Sequence, residues 1–181
     1  MKRVLRELPG LAPATVAATA AAIALGAYCP ASHARPSTFQ GVAALCTFDP
    51  TGVETRQEGA TSFEYGYKFF YRIETDHELI NGWETLISNT RSNPDGQAFH
   101  FGTASLEPDS TPGSTLEGKF FFPADANPIK GSYFGTGKLS RVVVHYELFP
   151  DPTVAAEYPQ LCRGAAPLFG YRMYGSVENY E

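Results

Sequence analysis

Apolar and polar side chains alternate along most of the chain after residue 35, with the period of two that a pleated strand requires. The alternation is clearest between Phe63 and Glu74. One face of that segment carries Tyr65, Tyr67, Phe69, Tyr71 and Ile73, and the other carries Gly66, Lys68, Phe70, Arg72 and Glu74. No segment has the apolar spacing of an amphipathic helix of three turns. The pattern therefore predicts an all-β domain.

Eight runs of β-branched and aromatic residues are bounded by Gly, Pro, Asn or Asp, which favour turns. The predicted strands are residues 39–48, 63–74, 79–90, 97–106, 115–122, 129–137, 139–149 and 168–177. The third strand is interrupted at Asn81-Gly82 in this interpretation. The polar stretch from 49 to 60 is predicted to be a loop, and one helical turn is expected near 154–158.

Short strands at even spacing, without crossover helices, indicate an antiparallel meander. Closing such a sheet removes its exposed edges, and eight strands enclose an interior that side chains fill or that holds one small ligand. The predicted fold class is a small antiparallel up-and-down β-barrel of about eight strands. A β-sandwich is the alternative.

The N-terminal segment has the three parts of a secretory signal peptide. Three basic side chains lie in the first six residues, an alanine-rich apolar run spans 11–28, and small Ser32 and Ala34 precede a plausible cleavage site before Arg35. The run is long enough that an uncleaved membrane anchor is the alternative. Cleavage would leave a secreted or periplasmic protein without stable membrane insertion.

The cysteine count agrees with a signal peptide of residues 1–34 and a single mature domain of residues 35–181. Cleavage removes Cys29, which could otherwise carry a lipid, and leaves Cys46 and Cys162 to form one disulfide. This bridge would join the first strand to the region before the last strand. Two buried free thiols are the alternative.

The charge of the chain disfavours nucleic acid as a partner. The full chain has 14 basic and 19 acidic side chains, and removal of Lys2, Arg3, Arg6 and Glu7 leaves 11 and 18. Without a basic cluster, a net negative surface repels phosphate backbones.

The strand at 139–149 carries the candidate acid–base chemistry. Arg141, His145 and Glu147 share one face of it. If that face lines the barrel lumen, the histidine and carboxylate form a general acid–base pair, as a cofactor-free isomerase or cyclase would use. If it is the outer face, the same residues are solvated polar groups.

Aromatic residues are abundant and form either a packed core or the lining of an apolar cavity. From this pool, which also includes Tyr133 and Tyr174, we assign six ligand-binding candidates. They are Tyr65, Tyr67, Tyr71, Trp83, Tyr146 and Tyr171.

No catalytic or metal-binding motif is present in the sequence, and we expect no cofactor. His77, His100 and His145 are too far apart in sequence for a zinc motif, although three strands could bring them together with Glu84 as a further ligand. The turn from Gly135 to Leu139 resembles turns in barrel proteins of the allene oxide cyclase and dirigent type. Five residues carry this resemblance, and no site or activity is transferred from it.

Three functions remain as hypotheses. The first is binding of a small, largely apolar ligand in the lumen, and the second is the cofactor-free enzyme with a lumenal His–Glu pair. The third is a secreted interaction or inhibitor module, which predicts a filled core and an exposed apolar patch or long loop.

Overall fold

The computed structural model describes residues 36–179, so the signal-peptide prediction for residues 1–34 lies outside the described residues. Nine strands and one short helix follow in chain order. They are β1 (Ser37–Asp49), β2 (Glu54–Glu58), β3 (Thr61–Thr75), β4 (Gly82–Ser92), β5 (Ala98–Pro108), β6 (Leu116–Pro123), β7 (Ile129–Gly135), β8 (Val142–Pro150), α1 (Val154–Glu157) and β9 (Phe169–Asn179). No helix within residues 36–179 is long and apolar enough to span a bilayer.

The sheet is a closed antiparallel barrel of eight strands, β1 and β3 to β9. From β3 onward each strand pairs with the next, and β1 closes the ring by pairing with both β9 and β3. β2 lies outside the ring and pairs with the first part of β3 in the residues described. The prediction of an up-and-down barrel, rather than a sandwich, is confirmed.

Most predicted elements are present, with two differences in the first half of the chain. β2 lies in the polar stretch for which the sequence predicts a loop. All five of its residues are exposed, so no buried face imposes a period of two on its sequence. The start of the third predicted strand is instead a 3₁₀ turn, Glu78–Ile80, and β4 begins at Gly82. The helical turn is confirmed as α1.

A β-bulge in β3 changes which face its first residues occupy. The pairing of β3 with β4 shifts between Glu64 and Tyr67, and Gly66 takes the left-handed conformation there, with φ of 91°. The Gly66 N–H donates a hydrogen bond to Asn89 Oδ1 at 3.0 Å. Tyr65 is therefore out of phase with Tyr67, although the sequence alternation placed them on one face.

Apolar side chains fill the barrel at the end where the chain enters and leaves it. Two 3₁₀ turns, Glu78–Ile80 and Gly137–Leu139, carry Ile80 and Leu139 into this core and plug the lumen. The other buried residues at this end include Phe39, Leu106, Leu116, Val142, Val144, Met173 and Val177. This end of the barrel is solid.

A second apolar cluster lies outside the barrel and covers β1. Val42 and Ala44 of β1 pack against Val154 and Leu161 of the β8–β9 connection. The predicted disulfide between Cys46 and Cys162 is confirmed and fastens this connection to β1, with 5.1 Å between the two Cα atoms.

Arg172 on β9 holds the same connection through two ion pairs. Its guanidinium lies 2.8 Å from the carboxylate of Asp151 and 2.5 Å from that of Glu157. The hydrogen bonds from Arg172 and then Thr153 lower the pKa of Asp151 to about 2. The β8–β9 connection is thus held by apolar contacts, ion pairs and a covalent bond.

Candidate functional site

The open end of the barrel contains a cavity of about 270 Å³. It lies where the β6–β7 and β8–β9 connections meet the strands, since Ala124, Ala126, Pro150 and Phe169 all line it. Its apolar walls include Phe69, Leu86, Phe120, Phe122, Ile129 and Leu148. The lumen is therefore filled at one end and hollow at the other.

Two glycines on the inner face of the barrel lie next to large aromatic rings that line the cavity. A Cβ on Gly131 would lie 2.3 Å from the hydroxyl oxygen of Tyr146, so the Tyr146 ring occupies the space above this glycine. A Cβ on Gly102 would overlap the backbone carbonyl oxygen of Ile87 and would lie 2.9 Å from the ring of Phe120. Gly131 therefore leaves the space that the Tyr146 ring occupies, and Gly102 allows the close approach of the β4 backbone and of the Phe120 ring.

Glu84 on β4 lies among the residues that line the cavity and is only 5 % exposed. Its Oε1 atom accepts a hydrogen bond from the Tyr133 hydroxyl at 2.5 Å. Burial raises the pKa of Glu84 to about 7, against an ordinary value of 4.5, although the hydrogen bond from Tyr133 acts in the opposite direction. This carboxyl therefore changes its charge near neutral pH.

Four tyrosines from four strands surround Glu84 and supply neutral hydroxyls. Tyr133 stacks on Tyr146 with 4.7 Å between ring centroids, and Tyr71 lies 6.1 Å from Tyr171. Burial raises the pKa of all four, and the negative charge of Glu84 adds to the rise for each. These phenols stay protonated at physiological pH.

His100 also lines the cavity, beside Glu84 and the tyrosines. Its Nδ1 lies 3.2 Å from Thr90 Oγ1, and burial lowers its pKa. It is therefore neutral at neutral pH. Among the residues described, neither lysine nor arginine lines the cavity, so Glu84 provides its charge.

Three of the six aromatic candidates line the cavity: Tyr71, Tyr146 and Tyr171. Tyr65 does not, because the bulge turns it toward Phe63 and Phe101 on the outer face, with centroid distances of 6.0 and 6.2 Å. Both distances are typical of aromatic packing.

Tyr67 and Trp83 do not line the cavity either. Tyr67 lines a more open depression at the barrel rim that adjoins the cavity and shares Phe69, Ser88 and His100 with it. Its hydroxyl donates a hydrogen bond to Glu64 at 3.0 Å. Trp83 lies on the outer face of β4, next to inward Glu84, and carries the guanidinium groups of Arg72 and Arg163 at 5.7 and 5.0 Å from its ring. Successive side chains of a strand point to opposite faces, so Trp83 points outward because Glu84, the next residue, points into the lumen.

The proposed lumenal pair of His145 and Glu147 is not formed, because both side chains point outward. The side chain of His145 is 52 % exposed and its Nδ1 lies 2.7 Å from Ser132 Oγ, while Glu147 pairs with Lys130 at 2.5 Å. Both line an open depression on the outer surface. Arg141 is exposed ahead of β8.

Sequence reasoning considered Glu84 only as a possible metal ligand and did not select Tyr133 from the aromatic pool. In residues 36–179, no group of three or more His, Cys, Asp or Glu side chains is placed to hold a metal ion. The available signal was the phase of β4, in which Glu84 shares a face with Leu86 and Ser88. That phase identifies a carboxyl on an otherwise weakly polar face.

Fold and cavity together define the class of protein: a small, disulfide-bonded β-barrel with one hollow end and a buried carboxyl at the cavity wall. No protein-family model, curated protein or solved structure matches the chain.

Proposed function

We propose that the barrel binds a small, largely apolar molecule in its lumen. The observation that carries this proposal is the cavity of about 270 Å³ with mainly aromatic and aliphatic walls and a few convergent polar groups. Such a composition is typical of ligand pockets, in which apolar walls supply affinity and a few polar atoms fix orientation.

The size of the cavity restricts the ligand. Pockets for drug-sized molecules span about 300–1,000 Å³, so this cavity suits a molecule at or below the small end of that range. Ile80 and Leu139 fill the closed end of the barrel, so a ligand with a long alkyl chain cannot extend through the lumen.

The alternatives from the sequence have weaker support. A lumenal acid–base pair of His145 and Glu147 lacks its geometric basis, because both lie outside the barrel. An interaction module predicts a filled core, whereas this core is filled at one end only.

Two tryptophan substitutions on adjacent residues of β4 test the proposal. Leu86→Trp places an indole in the cavity, whereas Ile87→Trp adds the same side chain on the outer face. With N-phenyl-1-naphthylamine as a fluorescent probe, we expect saturable binding to the wild type and to Ile87→Trp. Affinity should be weaker by about tenfold or more for Leu86→Trp, because the ring occupies the ligand's space.

The result that overturns the proposal is equally direct. Absence of saturable fluorescence with the wild type, or equal affinity of both tryptophan variants, would show that the lumen does not take up the probe. Near-identical circular dichroism spectra of the two variants serve as the control for folding.

We also propose that the protein is exported and that the signal segment is removed before Arg35. The disulfide supports this proposal, because such bonds persist in oxidising compartments and are rare in the cytosol. Expression of the full chain in a bacterial host should give periplasmic or secreted material whose N-terminal residue, read by mass spectrometry, is Arg35. Material that retains residues 1–34 would contradict it.

A further inference from the structure

We propose that the ligand of the lumenal cavity carries one protonated amine, which pairs with the carboxylate of Glu84 inside a cage of aromatic rings. This inference rests on the proposed function, since it names the chemical class of the molecule that the cavity takes. The ligand is thus an apolar body with a single cationic head.

The carboxylate of Glu84 has no cationic partner within the described part of the chain. Glutamate is almost never fully buried unless it is paired, because the charged form is poorly solvated in the interior. The observed partner of Glu84 is the neutral hydroxyl of Tyr133. Neither lysine nor arginine lines the adjoining cavity in residues 36–179. A cation in the cavity would complete the pairing.

The space around that carboxyl is mainly aromatic. Tyr71, Tyr146 and Tyr171 line the cavity, as do the rings of Phe69 and Phe120. Aromatic faces attract ammonium groups through the ring quadrupole, and the attraction is stronger where water is excluded. Walls that are aromatic and a buried carboxylate favour the same kind of head group.

The charge of Glu84 disfavours anionic and neutral head groups on the ligand. A ligand carboxylate would face the charge of Glu84 without a compensating cation, and like charges in a low-dielectric site repel strongly. A neutral hydroxyl can accept or donate a hydrogen bond there, but it leaves the charge of Glu84 unpaired. An ammonium group is the head that compensates this charge.

Three probes with a similar apolar body and different heads test the inference: 2-phenylethylamine, 2-phenylethanol and phenylacetate. Binding is measured by isothermal titration calorimetry with the wild-type protein at pH 8, where Glu84 is largely ionised. We expect the amine to bind about tenfold or more tightly than the alcohol, because it gains a charge-assisted hydrogen bond and cation–π contacts. Phenylacetate should bind most weakly.

The pH dependence supplies a second readout. The groups that face Glu84 are Tyr71, Tyr133, Tyr146 and Tyr171, all of which stay neutral, while His100 lines the same cavity. Protonation of Glu84, whose pKa is about 7, should reduce the amine-to-alcohol affinity ratio between pH 8 and pH 5.5. Protonated His100 would repel the amine in the same direction, so a variant must separate the two effects.

Glu84→Gln is that variant, and Glu147→Gln is its matched control outside the lumen. We expect Glu84→Gln to bring the amine-to-alcohol ratio close to one and to remove most of its pH dependence. Glu147→Gln should keep the wild-type ratio. A pH dependence that persists in Glu84→Gln would assign the effect to His100 and overturn the inference.

The outcomes separate this inference from the proposed function. If the wild type binds the alcohol and the amine with equal affinity, or favours phenylacetate, the inference fails while the lumenal site stands. If none of the three probes binds and N-phenyl-1-naphthylamine does not bind either, the proposed function itself fails.

Discussion

Replacing Cys46 and Cys162 together with alanine is expected to lower the free energy of unfolding by about 4 kcal/mol. The bond joins residues 116 positions apart, so its loss returns a large loop entropy to the unfolded chain. The β8–β9 connection also loses its covalent attachment to β1, where Val154 and Leu161 cover the outer cluster. Urea denaturation of purified protein, followed by circular dichroism, measures the change.

A reductant provides the control for the disulfide prediction. Dithiothreitol should shift the urea midpoint of the wild type toward that of the double variant and leave the double variant unchanged. If the wild type and the variant unfold at the same urea concentration without reductant, the bond contributes little and the prediction is wrong.

Glu84→Gln is expected to gain stability relative to the wild type as the pH rises from acidic to alkaline values. The pKa of Glu84 is about 7 in the folded protein and close to its ordinary value of 4.5 when unfolded. Between these values the folded protein keeps a proton that the unfolded chain releases, so the wild type loses stability as the pH rises through this range. The difference between the two pKa values corresponds to a loss of about 3 kcal/mol in the free energy of unfolding of the wild type. The glutamine variant does not lose this stability, because its side chain does not titrate.

Urea denaturation at pH 4 and pH 8 measures this effect. The free energy of unfolding of Glu84→Gln, minus that of the wild type, should increase by about 3 kcal/mol from pH 4 to pH 8. Glu147→Gln removes an exposed carboxyl of the same type, and its difference from the wild type should change little between the two pH values. A constant difference for Glu84→Gln would mean that its carboxyl titrates normally.

The stability that Glu84→Gln is expected to gain over the wild type at alkaline pH bears on the function of Glu84. A barrel that only needed to fold would be more stable with an uncharged side chain at position 84, because the buried charge lacks a cation among the described residues. Proteins keep such destabilising groups where binding or chemistry uses them. A cation bound at the proposed amine site would compensate the same charge.

Local patterns in the sequence determined much of the fold. Alternation and turn residues identify the eight barrel strands, because each strand buries one face and ends at residues that favour turns. Cys46 and Cys162 were recognisable as a pair by removal of Cys29 with the predicted leader. Tyr71, Tyr146 and Tyr171 were recognisable as candidates because aromatic residues in a small barrel belong to the core or to a cavity.

The tertiary structure decided which face of each strand lines the lumen and which face is exposed to solvent. Alternation shows that Tyr146 and His145 point to opposite sides, but the closure of the ring determines that Tyr146 faces the lumen and His145 faces water. The bulge at Gly66 moves Tyr65 outside, and a local pattern of period two does not encode such a shift in pairing. The hollow end exists because the apolar residues that fill the lumen lie at the other end. Glu84 lines the cavity and meets Tyr133 of the filled core, 49 residues away in sequence. Burial of a carboxyl beside a cavity depends on contacts between strands that are distant in sequence. The sequence of a single strand does not show these contacts.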